Sequence, residues 1–229
     1  EAIINNYEAG NNSFNFNTTI GLEGTLAQNL FLNSKFGITY NLLKESIFMP
    51  NKGMERYYND EAYNVSQASS NKFNSFFNNT YLHYSKSFSD YSKLTSSTGI
   101  NVQTNQYGYD WALTKNSPRN DQYRLLQDGT PNLREIGGDS RSWNWLSIYE
   151  SLNYSFKDKY MLGVTLSADG SSRLGENAAN TFSIGGQPFG LFYAAGASWR
   201  VSNESFLKNT SWLEELKLRL SYSFSGNDD

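Results

Sequence analysis

Phe14, Phe16, Thr18, Ile20, Leu22, Gly24 and Leu26 alternate with Ser13, Asn15, Asn17, Thr19, Gly21, Glu23 and Thr25. Side chains of an extended chain point alternately to its two faces, so a period of two commits this segment to a strand with one apolar and one polar side. After Ala27-Gln28-Asn29 the pattern resumes, with Leu30, Leu32, Phe36, Ile38, Tyr40 and Leu42 opposite Asn33, Lys35, Thr39 and Asn41. The pair reads as a hairpin closed by a tight turn. Similar runs at about 76–88, 93–109, 143–156, 160–169, 191–200 and 216–225 bring the expected total to eight strands.

Composition agrees. Aromatics make up 16% of the 229 residues against 38% total hydrophobics, which favours one-sided strands over buried helices. With 19 basic and 22 acidic residues spread along the chain, no basic field exists to hold a nucleic-acid backbone. The absence of cysteine excludes disulfides, thiolate metal sites and a Cys nucleophile, and the single histidine, His83, excludes a His-rich metal site. No run reaches the ~18 apolar residues of a membrane-spanning helix, a test that β-barrels escape because their strands need only alternate.

The connectors alternate in length. Those at 27–29, 89–92 and 157–159 are short, and those at 46–72, 110–142 and 170–190 are long. A soluble sandwich has no reason to sort its connections this way. An outer-membrane barrel does so, with short periplasmic turns and long outer loops. The connector at 201–215 falls on the short side but is longer, and Asn203-Glu204-Ser205-Phe206-Leu207 suggests a single helical turn there. Aromatics sit near both expected strand ends, with Tyr154, Phe156, Tyr160 and Trp199 at one and Phe14, Phe16, Tyr222 and Phe224 at the other, as interfacial girdles would. The opposite faces would line a wet lumen with Asn15, Asn17, Glu23, Asn101, Gln103, Asn153, Lys217 and Arg219. Glu150 breaks the pattern by standing on the apolar parity of its strand.

Two blocks carry a resemblance. Asn153-Tyr154-Ser155-Phe156-Lys157-Asp158-Lys159-Tyr160-Met161-Leu162, followed by Asp169-Gly170-Ser171-Ser172-Arg173, resembles a recognisable stretch of the SusC/RagA family of TonB-dependent outer-membrane transporters of Bacteroidetes. Trp199-Arg200-Val201-Ser202-Asn203-Glu204, then Lys217-Leu218-Arg219-Leu220 and Gly226-Asn227, is similar to a later segment of that family in order and spacing. The resemblance is clear over 146–227; Ser167, Leu174, Ser223 and Ser225 depart from the family's common Arg, Phe, Gly and Thr.

The resemblance implies an all-β fold, an antiparallel transmembrane β-barrel, here about eight consecutive strands of a larger barrel of twenty-two. The family's signal peptide, N-terminal extension, TonB-box segment and plug are not recognisable in 1–229, so the whole chain reads as a partial barrel domain. An isolated arc would leave two unpaired edges. The charged Lys157–Lys159 knot would be a periplasmic turn and Asp169 to Arg173 the start of an outer loop. The implied activity is import of oligosaccharides or peptides, with a SusD-like surface lipoprotein as lid, TonB acting through segments not recognised here, and the lipid bilayer around the wall.

Candidate substrate contacts are the expected loop aromatics Tyr57, Tyr58, Tyr109, Trp111, Tyr123 and Trp143, since stacking rings and amides suit sugars. The alternatives are a siderophore-type TonB-dependent receptor and a stand-alone small outer-membrane barrel. An enzyme would have to build on His83 and Ser85, without a nucleophile elbow, so no catalysis is expected. No cofactor is called for. The acidic stretches Asn59-Asp60-Glu61 and Asn227-Asp228-Asp229 lack calcium-loop spacing.

Overall fold

The structure, a computed structural model, describes residues 7–50, 64–115, 125–174, 181–207 and 212–226. Nine strands form one antiparallel sheet: β1 (Glu8–Ala27), β2 (Leu30–Met49), β3 (Val65–Ser89), β4 (Ser92–Thr114), β5 (Glu135–Phe156), β6 (Tyr160–Ser171), β7 (Thr181–Ile184), β8 (Gln187–Arg200) and β9 (Lys217–Phe224). Each of β1 to β6 pairs with its sequence neighbour, and β6 pairs next with β8. One edge of β8 is shared, Gln187 to Gly190 facing β7 and Tyr193 to Arg200 facing β9. Among the described residues no helix is long and apolar enough to cross a membrane, which says nothing of strands.

The strands outlast their alternation. β3 starts at Val65, not near 76; β4 continues to Thr114, past 109; and β5 starts at Glu135, not 143. At the starts of β3 and β5 polar residues occupy both parities, and at the end of β4 the apolar residues Tyr107, Tyr109, Trp111 and Leu113 take the parity opposite to Ile100 and Val102. A single apolar stripe is lost while the backbone ladder, indifferent to side chains, goes on. A further strand, β7, lies inside the expected 170–190 loop and turns into β8 through Gly185-Gly186, both at positive φ (59° and 82°). Such a two-residue turn admits glycine at both centres.

The strand segments fall into two compact units. The first comprises Glu1–Thr18, Ile38–Ser75 and Asn105–Ser142. In it the Phe14 and Tyr40 rings meet edge to face at 6.0 Å, with Lys72 Nζ 5.7 Å above Tyr40. Ser69 donates to Glu45, Asn71 donates to Tyr107, and Lys115 pairs with Glu135 at 2.8 Å.

The second unit comprises Thr19–Gly37, Phe76–Thr104 and Trp143–Asp229. Its sheet is inside out relative to a soluble protein. Register places Leu162, Ala197 and Leu220 in one row, Val164, Ala195 and Tyr222 in the next, and Leu166, Tyr193 and Phe224 in a third. This apolar face is bare, with Leu220 79% and Tyr222 65% exposed. Across the described residues of the whole chain the buried hydrophobics are Phe48, Phe189 and Val201 alone.

Glu150 has a physical place. Ser96 Oγ donates to its carboxylate at 2.7 Å and Thr98 Oγ1 donates to the other oxygen, so the group on the apolar parity is held by two hydroxyls of β4. Nearby on that parity, Ser34, Asn78 and Thr80 close a ring: Ser34 and Thr80 hydroxyls are 2.7 Å apart, Thr80 donates to Asn78, and Asn78 donates back to Ser34. Polar groups on this face are thus tied to one another.

Candidate functional site

The short-turn end of the second unit joins the two sequence blocks. Lys157 and Asp158 turn at positive φ (55° and 52°), a conformation that costs L-residues about 1 kcal/mol or more each. The turn is pinned from both sides. Lys157 N–H donates to the Tyr91 carbonyl, Asn203 Nδ2 donates to the Asp158 carbonyl at 3.3 Å, and Arg200 N–H donates to the Lys159 carbonyl at 2.7 Å.

Glu204, in the turn after β8, fastens this arrangement. Its carboxylate accepts from Lys159 Nζ at 2.7 Å, Tyr160 Oη at 2.8 Å and Trp199 Nε1 at 3.0 Å. The Lys159 ammonium first, then the Trp199 and Tyr160 donors, hold the carboxyl at about 2, well below its ordinary 4.5. The sequence places Lys159 and Tyr160 in one of the two similar blocks and Trp199 and Glu204 in the other. Nothing in either block shows that Glu204, 45 residues beyond Lys159, is the common partner of Lys159, Tyr160 and Trp199.

At the other end of β6 the Asp-Gly-Ser-Ser-Arg segment is strand as far as Ser171, where a loop was expected from Gly170. Ser147 Oγ donates to Asp169 Oδ1 at 2.5 Å and Ser167 Oγ to Oδ2 at 3.4 Å. Ser172 exchanges bonds with Asn144: its N–H donates to the Asn144 carbonyl and its Oγ accepts from the Asn144 N–H, both at 3.0 Å. The Arg173 guanidinium lies 4.1 Å from the Trp143 ring centroid. Gly170 gives room to the buried Phe189 ring, 2.9 Å from where a Cβ would stand.

Of the expected loop aromatics, Tyr57, Tyr58 and Tyr123 lie outside the described residues, as do Asn227 and both acidic stretches. Tyr109 and Trp143, at the ends of the expected strands, lie inside β4 and β5, and Trp111, in the expected loop, is a strand residue because β4 extends to Thr114. Trp111 packs on Gly137, whose Cβ would fall 2.5 Å from the indole nitrogen, and lines a cavity of about 630 Å³ with Asn12, Lys44, Glu45 and Ser69 in the first unit. Trp143 belongs to the second unit, so the six candidates do not form one described site.

On the polar face of the second unit, Lys217 Nζ lies 3.1 Å from Met161 Sδ, and Arg219 lines a hollow of about 430 Å³ with Lys93 and Asn153. Gly226 lets the Phe192 ring approach to 2.8 Å from where its Cβ would be. His83 Nδ1 is 2.9 Å from Ser97 Oγ, and it is Ser97 rather than Ser85 that it meets. Among the described residues no group of three or more acidic or histidine side chains could hold a metal.

No family model matches the chain. In sequence it is 29% identical over 204 residues to TonB-dependent receptor P39 of Formosa agariphila, a match covering 89% of this chain and 18% of that protein. It is 30% identical over 97 residues to TonB-dependent receptor SusC of Bacteroides thetaiotaomicron, covering 42% of this chain and 9% of that one. In fold it superimposes on a chain in the structure of the RagAB peptide transporter with a TM-score of 0.77 at 21% identity, over 98% of this chain and 24% of the other. The chain thus spans less than a fifth of the curated relatives it matches. It is similar in sequence to part of TonB-dependent receptors, SusC among them, and shares its fold with part of a chain in the RagAB structure.

Proposed function

We propose that these residues form part of the wall of a bacterial outer-membrane importer that takes up oligosaccharides or peptides, driven through TonB and covered by a SusD-like surface lipoprotein. The observation that carries this reading is the inverted second unit, in which rows of Leu, Val, Tyr and Phe are bare while Asn153, Lys217 and Arg219 stand on the opposite face. Soluble monomers rarely leave more than a few hundred Å² of contiguous apolar surface open to water. Lipid contact makes that face favourable, and the opposite polar face then borders the solute path. The hydrogen-bonded ties of Glu150, Ser34, Asn78 and Thr80 suit hydrocarbon, where an unpaired polar group costs several kcal/mol. The Lys157–Asp158 turn is the periplasmic end. Import of this kind asks no chemistry of the wall, and His83 is assigned a structural role beside Ser97.

The test is uptake by the native organism, with the gene for the full-length protein intact, deleted, or present in cells lacking TonB. Fluorescent oligosaccharides, peptides and a ferric siderophore serve as separate probes. Uptake of an oligosaccharide or peptide that is lost in both deletions, with co-purification of a surface lipoprotein, is expected. Loss of siderophore uptake alone would replace this reading with a siderophore receptor.

A further inference from the structure

A cavity of about 330 Å³ opens on the polar face where β5, β6 and β8 run side by side. Register brings its components together: Trp145 stands opposite Ser171, Ser147 opposite Asp169, and Ser167 opposite Phe192. All six share one face. Trp145 is 40% exposed, unusual for a tryptophan on the polar side of a sheet. Phe192 is held in place by missing side chains, since a Cβ at Gly190 or Gly226 would come within 2.7 or 2.8 Å of its ring.

We propose that this cavity binds one pyranose ring, with the Asp169 carboxylate taking two neighbouring sugar hydroxyls and Trp145 and Phe192 packing on the ring's C–H faces. The inference rests on the reading that the polar face borders a solute path, and names a contact site on it. Three features select a polyol. Each Asp169 oxygen accepts one serine hydroxyl, from Ser147 and from Ser167, which fixes the carboxylate while its oxygens keep acceptor capacity for further donors. The walls are aromatic, which suits the apolar faces of a sugar. Three serine hydroxyls, those of Ser167, Ser171 and Ser225, line it as well, beside Leu174 and two glycines, Gly170 and Gly226. An apolar peptide side chain in the same space would strip water from the carboxylate and these hydroxyls without replacing it. The volume lies at the lower end of ligand pockets, the scale of a single ring or a short unit rather than a long chain. Because the rings and carboxylate are already positioned, little ordering is left for binding to accomplish.

The experiment uses the full-length protein purified in detergent, without TonB or a lid, so binding here is read apart from transport. Glucose, galactose, mannose and glucosamine, with their disaccharides, are titrated against intrinsic tryptophan fluorescence and by saturation-transfer NMR, beside a panel of tripeptides. At least one sugar is expected to bind, with its ring protons closest to the protein. Asp169→Asn should raise its Kd about tenfold or more, as for loss of a charge-assisted hydrogen bond. Trp145→Phe should weaken binding and remove the fluorescence change, and Gly226→Ala, which displaces Phe192, should weaken binding with the change retained. Unchanged proteolytic resistance shows that each variant is folded. No sugar binding, sugar binding indifferent to Asp169→Asn and Trp145→Phe, or tripeptide binding that these variants abolish would each overturn the pocket assignment. Uptake lost with TonB would leave the transporter reading intact even so.

Discussion

Lys159 and Glu204 form an ion pair of 2.7 Å between two turns 45 residues apart, with side chains only 23% and 13% exposed. Their contact clasps the end of β5 and β6 to the end of β8, and Trp199 and Tyr160 complete it.

The clasp predicts an acid-sensitive step in stability. Folding lowers the Glu204 carboxyl from 4.5 to about 2, so its contribution is full above about pH 4.5 and is lost as pH falls through about 2. Thermal unfolding of the full-length protein in detergent should show a midpoint that drops between pH 5 and 2.5. Glu204→Gln should lower the midpoint at pH 7 and flatten that drop. Equal slopes in both proteins would remove Glu204 as the cause.

Glu150 predicts non-additivity. Taking away Ser96 and Thr98 as Ala and Val leaves the carboxylate without its two donors on an apolar face, a loss of roughly 1–3 kcal/mol. Adding Glu150→Leu to that double variant should restore most of the stability, because the polar group that needed donors is gone. Denaturant unfolding of the four proteins in lipid gives the coupling directly. Simple addition of the separate effects would contradict the account.

Gly99 predicts a steric failure. A Cβ there would stand 2.6 Å from Tyr81 Cβ and 2.7 Å from the Tyr149 ring, which crosses the glycine so that its hydroxyl donates to Asn79 at 2.9 Å. Gly99→Ala should cost about 1–3 kcal/mol by overpacking. Tyr149→Phe, which removes only the hydroxyl, should cost about 1 kcal/mol. The same unfolding assay ranks them, and an equal or reversed order would show that the crossing ring is not the constraint.

The two faces of β9 predict alternating accessibility. Single cysteines at Arg219 and Ser221 in the full-length protein should react with a membrane-impermeant maleimide, and those at Leu218, Leu220 and Tyr222 with a lipophilic one. The natural segment contributes no cysteine background. Uniform labelling by the impermeant reagent would rule out lipid on that face.

Alternation made the strands legible because their two faces meet different surroundings, and it assigned Leu162, Leu220 and Tyr222 to one side and Lys217 and Arg219 to the other. The charged knot at Lys157-Asp158-Lys159 likewise read correctly as a turn. Gly185-Gly186, between Ile184 and Gln187, was a hairpin signal open to view and passed over. Strand ends were not legible, since ladder hydrogen bonds continue where polar residues occupy both faces, as at the starts of β3 and β5, or where the apolar parity switches, as at the end of β4. Nor were the cross-strand partners. Glu204 meets Lys159 because the folded sheet brings two turns together, and Glu150 meets Thr98 and Asp169 lies with Trp145 and Phe192 because register sets distant residues side by side; both belong to the folded sheet rather than to any single strand.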